Sequence, residues 1–159
     1  MTNRIELTRR HWLLLTSAWF TSAPNMAAAA VLPTTLTLGL DLAKALARHQ
    51  PLLVMVSLDG CAFCKIVRDN YLGPMRERAG LEVVQIDMRN KASVVDFQGK
   101  LWTQDDLIRS WGVKVAPTVL FFGKGGVEVA ERMVGAYIPD FYGAYLDDRL
   151  RTALAAVKS

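Results

Sequence analysis

Cysteine and histidine are the scarcest reactive residues in this chain, two of each in 159 residues. That scarcity argues against a structural zinc site, which takes four ligands, because beside the two sulfurs only His49 and scattered carboxylates are at hand. A c-type haem is excluded as well, since it needs histidine directly after the second cysteine and that position is Lys65. The sequence also lacks an apolar run of roughly 20 residues, the length needed to span about 30 Å of hydrocarbon. It has no lysine-rich run and no basic helix face, so the formal charge of +4 is no argument for nucleic acid, and none is expected as a partner. There is no internal repeat, and no low-complexity segment beyond the alanine patch at 27–30.

What is present begins with residues 1–30, which have the three parts of a cleavable export signal. Arg4, Arg9 and Arg10 form a positive first part, Trp12 to Phe20 a short apolar core, and Ala27 to Ala30 a small-residue cleavage zone. The stretch TRRHWLL is similar to a twin-arginine signal, although tandem arginines also precede ordinary secretory cores. Cleavage there leaves residues 31–159 as one domain of ordinary size. The leader's three arginines against Glu6 account for +2 of the charge, so the mature domain is only weakly basic. The expected location is the periplasm, an oxidising compartment in which two nearby cysteines tend to pair.

Along the mature chain, Leu42, Ala45 and Leu46 share a face of a helix expected over 40–49, while the alternation of leucines at 36, 38, 40 and 42 also fits a strand. LLVMVSL, after Pro51, is an unbroken apolar run of strand length, the mark of a strand buried on both faces. Ile66, Val67, Asn70 and Tyr71 lie at helical spacing, in a helix that Pro74 is expected to end or kink. A second strand follows over 81–87, then a helix started by Thr103 with acids in its first turn and closed by Gly112. KVAPTVLFF reads as another buried strand, GKGG as a hairpin turn into a strand over 127–134, and Pro139 as the start of a last helix burying Tyr142, Leu146, Leu150 and Leu154. This order implies an α/β fold: a central mixed sheet with helices on both faces.

The two cysteines stand three apart in SLDGCAFCKIV, at the junction of the first strand and its helix. The first turn of a helix carries unsatisfied N–H groups and about half a positive charge, so a thiolate at Cys61 is stabilised and nucleophilic near neutral pH. Cys64, one turn on, lies on the same face and can attack a mixed disulfide formed at Cys61. That division of labour favours redox exchange. A structural staple is the poorer reading, because a loop of about four residues gains only roughly 2 kcal/mol. A soft-metal site for Cu(I) stays open, with methionines at 55, 75, 88 and 133 as helpers or as core filler.

From about Leu52 to Val157 the chain resembles a thioredoxin-fold domain. The resemblance rests on Cys61-Ala-Phe-Cys64-Lys65 after a buried strand, on Val115-Ala-Pro-Thr118 before another, and on Val134-Gly-Ala136 before the final helix. It implies a cis peptide bond at Pro117, packed beside the cysteine pair, with the backbone of Ala116 pairing to substrate and Gly135 leaving room for it. Two departures stand out. Tryptophan usually precedes the first cysteine of thioredoxins and here it is Gly60, and the buried acid that moves protons is replaced by Met55, leaving the turn residue Asp59 as the nearest acid. Phe63 is similar to its counterpart in exported thiol-disulfide interchange proteins of the periplasm, including disulfide isomerases and SoxW-like thioredoxins, although Ala116 stands where that last group has threonine.

The connection MRNKASVVDFQGKLW, fifteen residues, is longer than a simple loop; if the two central strands are parallel it leaves the sheet at the edge that carries Cys61, so Phe97, Leu101 or Trp102 either shapes the substrate face or packs the insert onto the core. The resemblance implies a monomeric thiol-disulfide oxidoreductase with no cofactor beyond the redox-active disulfide Cys61–Cys64. Its expected partners are disulfide-bonded protein substrates and an integral membrane thiol transporter that supplies electrons. The competing roles are a disulfide oxidant of the same fold and a non-enzymatic Cu(I) carrier.

Overall fold

The computed structural model describes residues 31–136 and 139–159; the export signal expected over 1–30 lies outside the described residues. Strand β1 (Leu52–Ser57) is buried at all six positions. It lies in the middle of the sheet, parallel to β2 (Val83–Asp87) and antiparallel to β5 (Thr118–Phe122), while β6 (Met133–Val134) extends the β5 side to give the order β2-β1-β5-β6. A strand with neighbours on both edges and helices on both faces has no solvent side, which is why its sequence shows no alternation.

The pleat of β1 divides the interior in two. Leu52, Val54 and Val56 enter a core with Leu38 and Leu42 of α1 (Leu38–Leu46) and Leu107 and Ile108 of α4 (Gln104–Ser110). Leu53 and Met55 enter the other core, with Cys64 and Val67 of α2 (Ala62–Val67) and Tyr142 and Leu146 of α5 (Pro139–Lys158). The mixed sheet between two helical layers is the expected α/β architecture.

Several elements differ in detail from their sequence patterns. The first element is a helix, not a strand, and it spans 38–46: Leu38, Leu42 and Ala45 face the core while Leu36 and Leu40 are exposed. Pro74 does not stop the second helical path. A π-helical turn (Arg68–Leu72) precedes it, with the Gly73 N–H reaching back to the Arg68 carbonyl, and the wider turn carries the chain past a residue without an N–H into α3 (Gly73–Ala79). The strand expected over 127–134 is broken into a single Glu128 bridge to Phe122 and the two-residue β6. Between them the Val129 N–H still bonds the Phe121 carbonyl at 2.9 Å, and further on Arg132 pairs with Glu128 and donates to the Trp111 carbonyl, so side chains tie the part that the ladder leaves.

In α5 the buried stripe runs Tyr142, Leu146, Ala153, Val157. Leu150 and Leu154, expected in the core, are only half-buried, because Leu154 sits a further 100° around the helix from Ala153. The connection after β2 folds on itself as a hairpin of β3 (Ser93–Val95) and β4 (Leu101–Thr103). No helix among the described residues is long and apolar enough to cross a membrane.

Candidate active site

At the end of β1 the chain turns through Leu58, Asp59, Gly60 and Cys61, closed by the Cys61 N–H on the Leu58 carbonyl at 3.2 Å. Gly60 is there for its backbone: φ is +70°, and a Cβ at that position would meet nothing within 4 Å. The turn sets Cys61 down as the N-cap of α2, in extended conformation, with its Sγ accepting the Cys64 N–H at 3.1 Å. The two cysteines form a disulfide, with Cα atoms 5.2 Å apart. Cys61 is half-buried and Cys64 has no exposure, so solvent and partners reach one sulfur and not the other. Phe63, 57% exposed, stands beside them with Ile66 as a small apolar surface.

The Ala116–Pro117 peptide bond is cis, as the resemblance implies. Register places it: Thr118 pairs with Val56, so Pro117 lies one residue beyond the last pair, at the end of β1 from which the chain departs for Cys61. Pro117 is buried and Ala116 half-buried, and Ala116 and Cys61 pack on the same apolar cluster. Gly135, buried with φ +76°, donates its N–H to the Pro117 carbonyl at 2.7 Å, so its left-handed backbone ties the second loop to the first. Cys61, Cys64, Ala116, Pro117 and Gly135 are thus gathered at one end of the sheet.

Phe97 and Trp102 are not among them: of the two roles the long connection allowed, they take that of packing the insert onto the core. Phe97 packs 4.7 Å from Phe122 and 6.3 Å from Trp111 in the α1/α4 core, on the face of the sheet away from Cys64. Trp102 packs on the same core and donates its indole N–H to Asp96 at 2.7 Å. Aromatic area finds more burial there than at an open rim. Leu101 is exposed on β4. The methionines also divide: Met55, Met75 and Met133 belong to the core that holds Cys64, Met88 to the opposite one.

The part of the connection that does reach the cysteines is its start. Met88, Arg89, Asn90 and Lys91 form one wall of a cleft of about 1120 Å³, with Gly60, Cys61, Lys65 and Arg68 across from them. Two buried polar residues that sequence reading took only for a helix start hold this wall. Gln104 Oε1 accepts the Asp87 N–H and Asp105 Oδ1 the Arg89 N–H, each at 2.7 Å, while their own N–H groups bond the carbonyls of Ala92 and Asn90 at 3.0 Å. The Arg89 N–H keeps the Asp105 carboxyl below its ordinary value, against the effect of burial and with help from the charges of Arg109 and Lys91. The run TQDDL shows the cap in sequence; nothing in it shows that Gln104 and Asp105 point inward.

A thiol at a helix N-cap beside a shielded second thiol is suited to exchange: attack from the reachable sulfur, closure from the buried one. A thioredoxin-like domain model matches residues 38–150. Among solved structures, DsbH oxidoreductase superposes with a TM-score of 0.52 at 20% identity, over 80% of this chain and 88% of that one. Thioredoxin f2 of Chlamydomonas reinhardtii gives 0.46 at 19%, over 72% and 96%. The reduced thioredoxin pre-protein of Schistosoma mansoni gives 0.47 at 20%, over 76% and 95%. No curated protein matches the chain in sequence.

Proposed function

The chain belongs to the thioredoxin-like family and is a thiol-disulfide oxidoreductase of that fold, and on this premise we propose that it reduces disulfides of protein substrates in the periplasm. The observation that carries the reading is the asymmetry of the pair, Cys61 reachable and capped, Cys64 without exposure. In the reduced protein the Cys61 thiolate attacks one sulfur of a substrate disulfide. A Cys61–substrate bond forms, the substrate S–S bond breaks, and the leaving thiolate takes a proton from solvent. Cys64 then loses its proton and attacks Cys61 Sγ, closing the Cys61–Cys64 disulfide and releasing the second substrate thiol. Two electrons and two protons have passed to the substrate.

Phe63 offers an apolar contact to the incoming chain, Ala116 a backbone partner, and Pro117 with Gly135 the floor beneath it. The pair is recharged by a dithiol of an integral membrane thiol transporter, a source that suits a reductant exported by the N-terminal signal pattern. The chain acts as a monomer. With Met55 buried where a proton-moving acid would lie, the proton of Cys64 leaves by another route, and Asp59, two residues before Cys61, is an exposed carboxylate in the same cleft.

The reduction potential tests the direction. Equilibration of the purified protein against glutathione or dithiothreitol ratios is expected to give a value near that of thioredoxin, about −270 mV; a value near −120 mV would make it an oxidant instead. A pair that equilibrates with neither couple would sink the redox reading.

A further inference from the structure

One face of the sheet changes character as it nears Cys61. The parallel pairs run Leu53 with Val83, Met55 with Gln85, Ser57 with Asp87, so an apolar floor becomes polar within two steps. The 1120 Å³ cleft opens over this polar end, and Cys61 is part of its wall. Ser57 and Gly60 line the cleft, and its wall at 88–91 is held by the hydrogen bonds to Gln104 and Asp105.

The cleft's charges are unevenly satisfied. Asp69 pairs with Lys65, and Asp87 accepts the Gln85 amide at 2.8 Å. Arg68 and Arg89 have no carboxylate partner among the described residues. Arg68 is half-buried, its Nε is buried without a hydrogen-bond partner among the described residues, and its Nη2 approaches Ser57 Oγ at 3.5 Å. Keeping a guanidinium there unpaired costs free energy that an arriving carboxylate would return. Arg89 is one of two non-glycine residues with positive φ among the described residues, at +61°, and its N–H is held by Asp105. Such backbone is retained where the surroundings impose it, often at binding sites. Gln85 Oε1 is buried and unpartnered as well, an acceptor awaiting an N–H.

We propose that this cleft is a carboxylate-recognition site, with Arg68 and Arg89 as receptors and Gln85 as acceptor for a neighbouring amide, so that the preferred substrates are peptidic disulfides carrying acidic groups beside the disulfide. This rests on the reductase reading above. Guanidinium forks match carboxylates in geometry, and a partly exposed pair is weakened by salt. The carboxylate comes from an acidic residue of a protein or from a small peptidic disulfide; the chemistry is the same.

The test measures second-order rate constants for oxidation of the reduced protein by two peptides that differ only in having glutamate or glutamine on both sides of a disulfide, and by glutathione disulfide against cystamine. The glutamate peptide is expected to react about tenfold faster at low salt, with the ratio shrinking as salt rises. Arg89→Gln, at an exposed position, and Arg68→Gln bring the ratio towards one, while Arg78→Gln on α3, outside the cleft, keeps it. An arginine-dependent preference seen only with glutathione disulfide assigns the site to small disulfides. A wild-type ratio of one with both pairs, or a ratio unmoved by both cleft substitutions, overturns the inference and leaves the reductase reading standing. Absence of reaction with every disulfide overturns both.

Discussion

The Cys64 backbone N–H points at Cys61 Sγ from 3.1 Å, so the residue that closes the disulfide also caps the sulfur that opens the reaction. Kept in the reduced protein, the same N–H would be a donor to the Cys61 sulfur, the arrangement that helps an attacking sulfur at a helix N-terminus. The two cysteines are therefore unequal before any substrate arrives.

That inequality predicts opposite outcomes for two substitutions. Cys64→Ser keeps the attacking thiolate and loses the closing one, so a mixed disulfide with substrate accumulates and is seen as a mass adduct under non-reducing conditions. Cys61→Ser forms no adduct at comparable substrate, and its turnover falls to the uncatalysed rate. Equal trapping by both variants would contradict the assignment of roles.

Two glycines separate backbone strain from lack of space. Gly60→Ala meets no atom within 4 Å but must hold φ at +70°, which costs about 1–2 kcal/mol. Gly126→Ala combines φ +73° with a Cβ 2.3 Å from Phe97 Cγ, so it displaces a core ring and costs more. Urea unfolding of both variants should rank them in that order.

Acid stability follows from Asp96. Burial pushes its carboxyl up, but the Trp102 indole, the N–H groups of Lys100 and Gln98 and the Lys100 charge outweigh that and hold it below its ordinary value. A carboxyl depressed in the folded state stabilises fully above its unfolded value, about 3.9, and that contribution is lost as pH falls below it through the folded value. The unfolding midpoint should therefore drop across that window, and less steeply in Asp96→Asn. Near neutral pH that variant should be less stable by about 1–3 kcal/mol. An identical acid slope in both proteins would refute the role.

The brace behind the cleft is checked by amide exchange. Asp105→Ala removes the acceptor of the Arg89 N–H and Gln104→Ala that of the Asp87 N–H. Each freed amide should exchange roughly 5–30 times faster, in line with about 1–2 kcal/mol of local stability, while amides in β5 stay protected. Uniform acceleration through the sheet would point to global destabilisation instead.

Much of the architecture was legible because period and punctuation are local properties. The LLVMVS run fits burial on both faces, Thr103 caps its helix, and the order of elements implied the mixed sheet that is found. The broken strand after GKGG was not legible, since Val127 to Val134 carries a strand's composition and the contacts of Arg132 with Glu128 and Trp111 that accompany the break are not visible in it. The sequence left Phe97 between the substrate face and the core for a related reason: its position in the connection is local, whereas the rings of Trp111 and Phe122 that receive it come from residues distant in sequence.

By itself the sequence determined the dithiol, its place at a strand-to-helix junction and the glycine before it, because a three-residue spacing and a positive-φ turn are set within one short segment. Only the tertiary structure decided that Pro117 and Gly135 close on that segment, that Gln104 and Asp105 turn inward, and that Arg68 and Arg89 line the same cleft as Cys61 with no carboxylate partner among the described residues. Those facts depend on strand register and on which face of each element is covered, and both emerge from packing between residues far apart in the chain.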